Sequence, residues 1–395
     1  MKINECPVCG SKSREEVAAL LNRANFCVCN ECGHGYILDG PDADYSGFRQ
    51  NYTDEQLMDE NCSLNQMAEQ RYRYIMKNVN FTKTGKCSIL DVGCGYGHFL
   101  NKFILWSKTG IEPSVIAANY LRKMNTTISI HPGDYKSYSH VMDNFREGKD
   151  IISAHHVIEH LTTPKELIEF CIKYSTPQGL IYLTLPTVDD IENYEPTLTD
   201  LYFLSHGLHT QLFSYPSLLK LLSQFNIKWY RYEKEPFWPG LGNSYSLVLQ
   251  SGVNNSRFYP EKEMASMGVM LVKRFFQKLD ILQMEFSEYV YDTKNYKKAI
   301  YGAGTHTYSM IESLFEWSDI VPKKVFPLII DDNPREEEMF GIPIMPLEEA
   351  LNYKFSGILI SAPASEEQIG KRLKEDDRIK CRVFGPPPKY KPYKR

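Results

Sequence analysis

Two groups of residues in this sequence have the types and spacing to do chemistry. The first is a doubled Cys-x2-Cys unit, Cys6-Pro-Val-Cys9 and Cys29-Asn-Glu-Cys32, with Gly10 and Gly33 directly after the second cysteine of each pair. A tight turn at each pair would aim backbone amides at the sulfurs while four thiolates close a tetrahedron around one Zn2+. Four protein ligands leave no open position, so the expected metal is structural. Cys27, an alternative ligand, lies on the strand leading into the second pair and is left out of the set; His34 could also ligate, but more often such a residue is a neighbour of the sulfurs or solvent-facing. The second group is Ile89-Leu90-Asp91-Val92-Gly93-Cys94-Gly95-Tyr96-Gly97-His98-Phe99-Leu100, an apolar strand entering a D-x-G-x-G-x-G turn that opens a helix. Its glycines would let a ligand approach the backbone, and the helix start favours a carboxylate or phosphate. About twenty residues on, the next apolar run ends at Gly110-Ile111-Glu112, where an acid is placed for the two ribose hydroxyls of an adenosine.

The acid before the glycines separates two cofactor classes. A dinucleotide must seat its pyrophosphate at the turn, and Asp91 would repel it, whereas the same carboxylate suits the ammonium of a methionyl group. The set resembles the class I S-adenosylmethionine-dependent methyltransferases. The matching segments are Leu90-Asp91-Val92-Gly93-Cys94-Gly95-Tyr96-Gly97, Glu112, Gly133-Asp134-Tyr135 and Asp150 to Leu161, the last resembling that family's fourth-strand "V-L-E-H" pattern. The resemblance covers about Tyr72 to Gln250 and implies a seven-stranded sheet with an antiparallel hairpin. It also implies a cofactor site at Asp91, Gly93, Cys94, Gly95, Tyr96, Gly97, Glu112, Asp134, Tyr135 and His155. In that family Glu159 and His160 start a helix packed on the sheet; the alternative is a His156-x-x-Glu159-His160 metal site, as in some related quinone methyltransferases.

The elements that must position these groups are readable from periodicity. Apolar runs CSILDVG, WSKTGIEP, DIISAHH and GLIYLTLP alternate with helical stretches, the pattern of βαβ units and a mainly parallel sheet. IKWYRYEKE and NSYSLVLQ read as a closing hairpin around Pro239-Gly240, and about Thr53 to Val79 reads as a leading helix. About Glu261 to Tyr291 reads as a long amphipathic connector, after which KKAIYGAGT, KVFPLIIDDNP, FSGILISAPAS and CRVFG form a second αβ series. The expected class is α/β: a zinc ribbon (1–40), a methyltransferase domain with its leading helix (41–255), a helical connector (256–295) and a smaller Rossmann-like substrate-binding domain (296–395). The proline-rich basic tail is expected to fray. Composition agrees with folded domains, at 43% hydrophobic and 24% charged residues. A formal charge of −4 argues against phosphate-backbone binding, so nucleic acid is not an expected partner. No apolar run reaches the roughly 18 residues of a membrane span and no signal-peptide core opens the chain, so a cytoplasmic protein is expected.

The order of parts resembles the three-domain, zinc-containing sugar methyltransferases, which act on nucleotide-linked sugars. That resemblance implies that the C-terminal domain helps hold a nucleotide-sugar, with Gly302-Ala303-Gly304-Thr305, Asp331-Asp332-Asn333-Pro334 and Gly341-Ile342-Pro343-Ile344 as the similar segments. Taken alone, the GAGT turn reads as a cofactor-free Rossmann-like unit, since no acid follows at the usual spacing. The family's catalytic stretch, Tyr-His-Glu-His and then an aromatic-serine pair, corresponds to His206-Gly207-Leu208-His209 and Phe213-Ser214. The last histidine and the Phe-Ser pair match; the tyrosine and the glutamate are replaced by His206 and Leu208, which admits O-methylation beside C-methylation. His209 is the expected base or acceptor contact, and His206 the residue that orients the acceptor. Methylation of a small non-sugar metabolite is the other enzymatic reading. A cofactor-binding protein without turnover, or an RNA-binding zinc-ribbon protein, is the alternative of another class.

Overall fold

The computed structural model describes residues 1–20, 24–42, 57–59, 62–78, 87–142, 148–194, 196, 198–235, 243–252, 262–291, 298–304, 307–308, 310–312, 321–362 and 366–384. The hairpin turn at Pro239-Gly240, Thr305 of the GAGT turn, the segments 43–56 and 253–261, and the tail from 385 lie outside them.

The strands are β1 (Arg14–Leu20), β2 (Ala24–Cys29), β3 (Gly35–Asp39), β4 (Ser88–Val92), β5 (Ser107–Glu112), β6 (Ile128–Pro132), β7 (Lys149–His155) and β8 (Ser175–Pro186). They continue as β9 (Gln211–Leu212), β10 (Ile227–Lys234), β11 (Ser244–Ser251), β12 (Lys298–Tyr301), β13 (Ile329–Ile330), β14 (Glu338–Met339), β15 (Ile342–Met345), β16 (Gly357–Ile360) and β17 (Arg382–Phe384). The central sheet has seven strands in the order β10-β11-β8-β7-β4-β5-β6. Its five strands from β8 to β6 are parallel, and the β10–β11 hairpin closes the edge antiparallel. Covered on both faces, β4 and β7 need the near-continuous apolar runs seen in the sequence, and Ile89, Leu90, Ile151 and Ile152 are fully buried there. Helix starts follow local chemistry: the Ser114 side chain accepts from the Ala117 amide ahead of the helix Val115–Met124, and Ser214 and Ser217 form a reciprocal cap at the helix Tyr215–Leu222.

The leading helix is shorter than expected. It runs Ser63–Asn78, with residues 53–56 outside the described part. A helix the sequence reading missed, Leu198–Ser205, stands between β8 and the two candidate histidines. The third sheet has the order β14-β15-β13-β12-β16-β17, parallel except for the β14–β15 pair. Among the described residues no helix is long and apolar enough to cross a membrane.

The cysteine-bearing segment is built into the rest of the fold. β1, β2 and β3 form an antiparallel meander whose fourth strand is β9, contributed from far along the chain. Its buried Phe26, Val28 and Ile37 share one core with Leu201 and Leu204 and with Val272, Phe276 and Leu279 of the long helix Lys262–Tyr291. At Gly33 the two backbones touch: a Cβ there would lie 2.6 Å from the Gly268 Cα and 2.7 Å from the Ala265 carbonyl oxygen. Gly33 also has a φ of +67°, while Gly10, at +73°, faces open space. Gly10→Ala should therefore cost only the left-handed strain, about 1–2 kcal/mol. Gly33→Ala adds overpacking and should cost about 2–4 kcal/mol. Denaturant unfolding of the two variants measures the difference; equal losses would mean that helix and turn do not meet.

Candidate active site

Asp91 ends β4 and is almost wholly buried; it accepts a hydrogen bond from the Ser153 hydroxyl on β7 at 2.6 Å. Burial pushes its carboxyl up to about 7, with Ser153 opposing. Gly93, Gly95 and Gly97 follow with φ of 70°, 53° and 77°, a left-handed run that only glycine adopts without strain. They face different surroundings. Side chains at Gly93 and Gly97 would strike Val157 and Leu121, whereas at Gly95 nothing lies within 4 Å, so the turn presents bare backbone to an open side. Glu112, at the end of β5, accepts from the amides of Gly95 and Ser114, each at 2.7 Å, and burial raises its pKa. Two buried carboxylates thus flank a glycine turn at the carboxyl edge of a parallel sheet, the arrangement expected for the methionyl and ribose ends of S-adenosylmethionine.

The other expected cofactor residues divide by what their side chains do. The Asp134 carboxylate accepts from the Ser137 amide at 2.8 Å and starts the helix Tyr135–Met142. Tyr135 is buried against Phe170. Cys94 and Tyr96 are buried, Tyr96 edge-on to Tyr120, so only their backbones belong to the turn's open face. His155 packs edge-on against Phe99 and Tyr182, with Nδ1 3.2 Å from the Thr184 hydroxyl, and burial keeps it neutral, well below the usual histidine range.

Beside this turn stands a charged group of which sequence reading named His156 and Glu159 but missed Arg71 and Glu235. His156 has a φ of 54°, uncommon for a residue with a Cβ. Its Nδ1 is 3.1 Å from the Glu159 carboxylate, and its Nε2 is 3.1 Å from the Ser244 hydroxyl and 4.0 Å from Glu235. Glu235 in turn takes both arms of Arg71, at 3.0 and 3.2 Å. Burial opposes charge on His156, but the bonds to Glu159 and Glu235 win and raise its pKa. Glu159 is fully buried; the bond to His156 and the charges of nearby histidines overcome burial and hold its carboxyl down at about 2. Arg71 and Glu235 are distant in sequence and match no motif, so no local signal could have paired them.

The two candidate histidines are not gathered together. His209 stacks on Phe203 at 4.6 Å, with its ring 4.9 Å from that of His160. Its backbone amide donates to the Phe203 carbonyl, and the next residue, Thr210, donates to the Glu159 carbonyl. Ligand atoms of Glu159, His160 and His209 all lie within 4.8 Å of one another. Burial, helped by His160, depresses the His209 pKa to about 3. Near neutral pH its imidazole is uncharged, and unaided it is a weak base. His206 turns away, stacked on Tyr202 at 4.2 Å, with Nε2 3.6 Å from Glu312 of the third unit. Of the matching Phe-Ser pair, Phe213 packs on His34 and Ser214 caps a helix.

In the cysteine cluster, Cys6, Cys9, Cys29 and Cys32 bring their sulfurs within 4.8 Å of one another. Cys6 and Cys32 are 3.6 Å apart, Cys9 and Cys29 3.5 Å. A tetrahedron with zinc–sulfur bonds near 2.3 Å has edges of about 3.8 Å, so the set fits that ion. Cys27 stays outside it, buried on β2 with Sγ directed at the Tyr36 carbonyl. His34 is fully buried rather than solvent-facing; its Nε2 lies 2.8 Å from the Gln211 side-chain oxygen on β9.

Residues 67–230 match the family model described as a methyltransferase domain. No curated protein matches. Among solved structures, the chain is similar to the plantazolicin methyltransferase BpumL in complex with SAH, at 20% identity over 53% of this chain and 93% of that one, TM-score 0.37. It is similar to the mitomycin 7-O-methyltransferase MmcR at 16% identity over 48% and 54%, TM-score 0.36. It is also similar to a SAM dependent methyltransferase from Archaeoglobus fulgidus at 15% identity over 50% and 100%, TM-score 0.37. The matched family, the strand order and the glycine turn together define the central domain as that of a class I S-adenosylmethionine-dependent methyltransferase. The match spans well under half of the chain, and the cysteine unit, the long helix and the third sheet lie outside it.

Proposed function

We propose that the whole chain transfers a methyl group from S-adenosylmethionine to a sugar, carried on a nucleotide, in glycan or secondary-metabolite assembly. The observation that carries the methyl-donor half is the open turn at Gly95 between the buried carboxylates of Asp91 and Glu112. The sugar half is supported by the order of parts and by His209 with Phe213-Ser214. In this reading residues 1–40 are a zinc ribbon, 41–255 the catalytic domain, 256–295 a connector and 296–395 a Rossmann-like unit that holds the nucleotide.

When bound, S-adenosylmethionine supplies a methyl group already activated on a sulfonium, so the protein's task is alignment and the exclusion of water. Asp91 would hold the ammonium, Glu112 the ribose hydroxyls, and the backbone of Gly93 to Gly97 the methionyl part. Asp134 and Tyr135 border the adenine, and His155 closes the floor. On the acceptor side His209 acts at the nucleophile, while His206, beside Glu312, orients the sugar. Cys6, Cys9, Cys29 and Cys32 hold one structural Zn2+.

Each part has its own test. Removing the Glu112 carboxylate deletes two charge-assisted hydrogen bonds of about 1.5–3 kcal/mol each, so Glu112→Ala should weaken S-adenosylmethionine binding at least about tenfold in calorimetry. Unchanged affinity, or NAD binding in its place, would defeat the assignment. Metal analysis of the purified chain should find about one zinc per chain, lost in Cys29→Ser together with stability of the N-terminal segment. Less than about half an equivalent in the unaltered protein counts against the ribbon. In methyl-transfer assays over a panel of nucleotide-sugars, His209→Ala should lower kcat by about 10²–10⁴-fold with cofactor affinity kept, and His206→Ala should do less. Small and equal effects, or transfer only to non-sugar acceptors, would refute the acceptor side.

A further inference from the structure

We infer that Glu159, His160 and His209 form a second metal site, which takes one divalent cation and presents it to the hydroxyl of the acceptor. Their ligand atoms lie within 4.8 Å of one another. Glu159 is fully buried; its Oε1 is engaged by His156, while its Oε2, equally sealed from solvent, has no hydrogen-bond partner. An ionised oxygen left in that position carries a desolvation cost that a cation removes. The Nδ1 of His160 lies 2.7 Å from the Leu208 carbonyl oxygen, which can only accept. That contact makes Nδ1 the donor, the way a ligating imidazole is ordinarily oriented. His209 is held against Phe203 by ring stacking and by its own amide. Thr210 ties the two halves together, its amide and hydroxyl both donating to the Glu159 carbonyl.

Two imidazoles and one carboxylate make a borderline-hard donor set, unlike the four thiolates of the cysteine cluster. Such a set suits Zn2+, Co2+, Fe2+ or Mn2+ and leaves coordination positions free. Glu159 is buried, and His160 and His209 are half-buried. His156, which sequence spacing grouped with Glu159 and His160 as a metal alternative, is occupied instead with Glu159, Ser244 and Glu235. His209 supplies the third ligand from across the fold.

Resting on the acceptor reading above, the cation would give His209 a role that does not require it to be a strong base. A sugar hydroxyl bound to the metal loses its proton to water more readily. The alkoxide oxygen then forms the bond to the methyl carbon, and the electron pair of the broken carbon–sulfur bond stays on the sulfur of the donor. The acceptor product is a methyl ether.

The test is calorimetric titration of the full chain with Co2+ after its cysteine cluster has been filled with zinc. One equivalent of Co2+ should bind, without the sulfur-to-cobalt charge-transfer absorption that would betray cobalt among the cysteines. Glu159→Gln, nearly isosteric, and His209→Ala should each weaken that binding at least about tenfold, as loss of one ligand in three requires, with S-adenosylmethionine affinity retained as the measure of folding. Absence of the binding event in the unaltered chain overturns the proposal, and so does binding that both variants leave intact. If cobalt binds as expected but no sugar is methylated, the metal site stands and the acceptor reading fails.

Discussion

The fold is organised around charge buried at the carboxyl edge of the central sheet. Arg71, Glu235, His156 and Glu159 alternate in sign across elements that come from the leading helix, the end of β10 and the turn after β7. Arg71 and Glu235 are 11% and 6% exposed and Glu159 is 0% exposed, so each would be costly without its neighbour. The net stability of such a set is small, because desolvation offsets attraction, while removal of any one member would leave an uncompensated buried charge. The leading helix reaches Glu235 through Arg71, and His156 stands between the two carboxylates. The left-handed φ of His156 is strain that this bonding over-determines.

A second constraint reaches the same edge from the opposite side. β9 is only Gln211–Leu212, yet it is the fourth strand of the cysteine sheet and directly follows His209 and Thr210. Gln211 faces His34, and Phe213 packs on the same ring. The cysteine unit thus fixes the register of the segment that carries His209. A metal holding the four thiolates would stiffen β2 and β3, and through them β9, without approaching the cofactor turn. Staple and site are separate in chemistry and joined in mechanics.

Much of this was legible in the sequence, and the reason is local. The cysteine pairs, the glycine turn and Glu112 are short-range patterns in which spacing dictates geometry, and the structure brings each set together. The parallel strands announce themselves because burial on both faces demands unbroken apolar runs. What was not legible depends on pairings between distant segments. Nothing near Arg71 points to Glu235, and nothing near Cys32 points to Gln211. The helix Leu198–Ser205 escaped because its residues are apolar on nearly every side, without the stripe that marks an amphipathic helix; Leu201, Tyr202, Leu204 and Ser205 are all buried. His206 and His209 looked alike as neighbours in a loop. A helix ending at Ser205 and the left-handed Gly207 send their rings to different places.

The segment that carries both histidines leans on parts of the chain outside the matched methyltransferase domain. Lys278 of the long helix donates to the carbonyls of Ile191 and Tyr194, at 2.7 and 3.0 Å, and anchors the start of the segment after β8. Leu201 and Leu204 join the core formed by that helix and the cysteine sheet. At the helix end, Tyr202 and His206 meet Tyr308 and Glu312, which belong to the third unit. The same short helix, one turn later in the chain, delivers His209 to Glu159 and His160. A displacement of the third unit against Tyr202 and His206 would therefore be carried along a helix of only eight residues to His209. The cofactor turn, fixed within the sheet by β4, β5 and β7, has no such connection. A load on the third unit would consequently reach His209 through that helix before it reached the glycine turn.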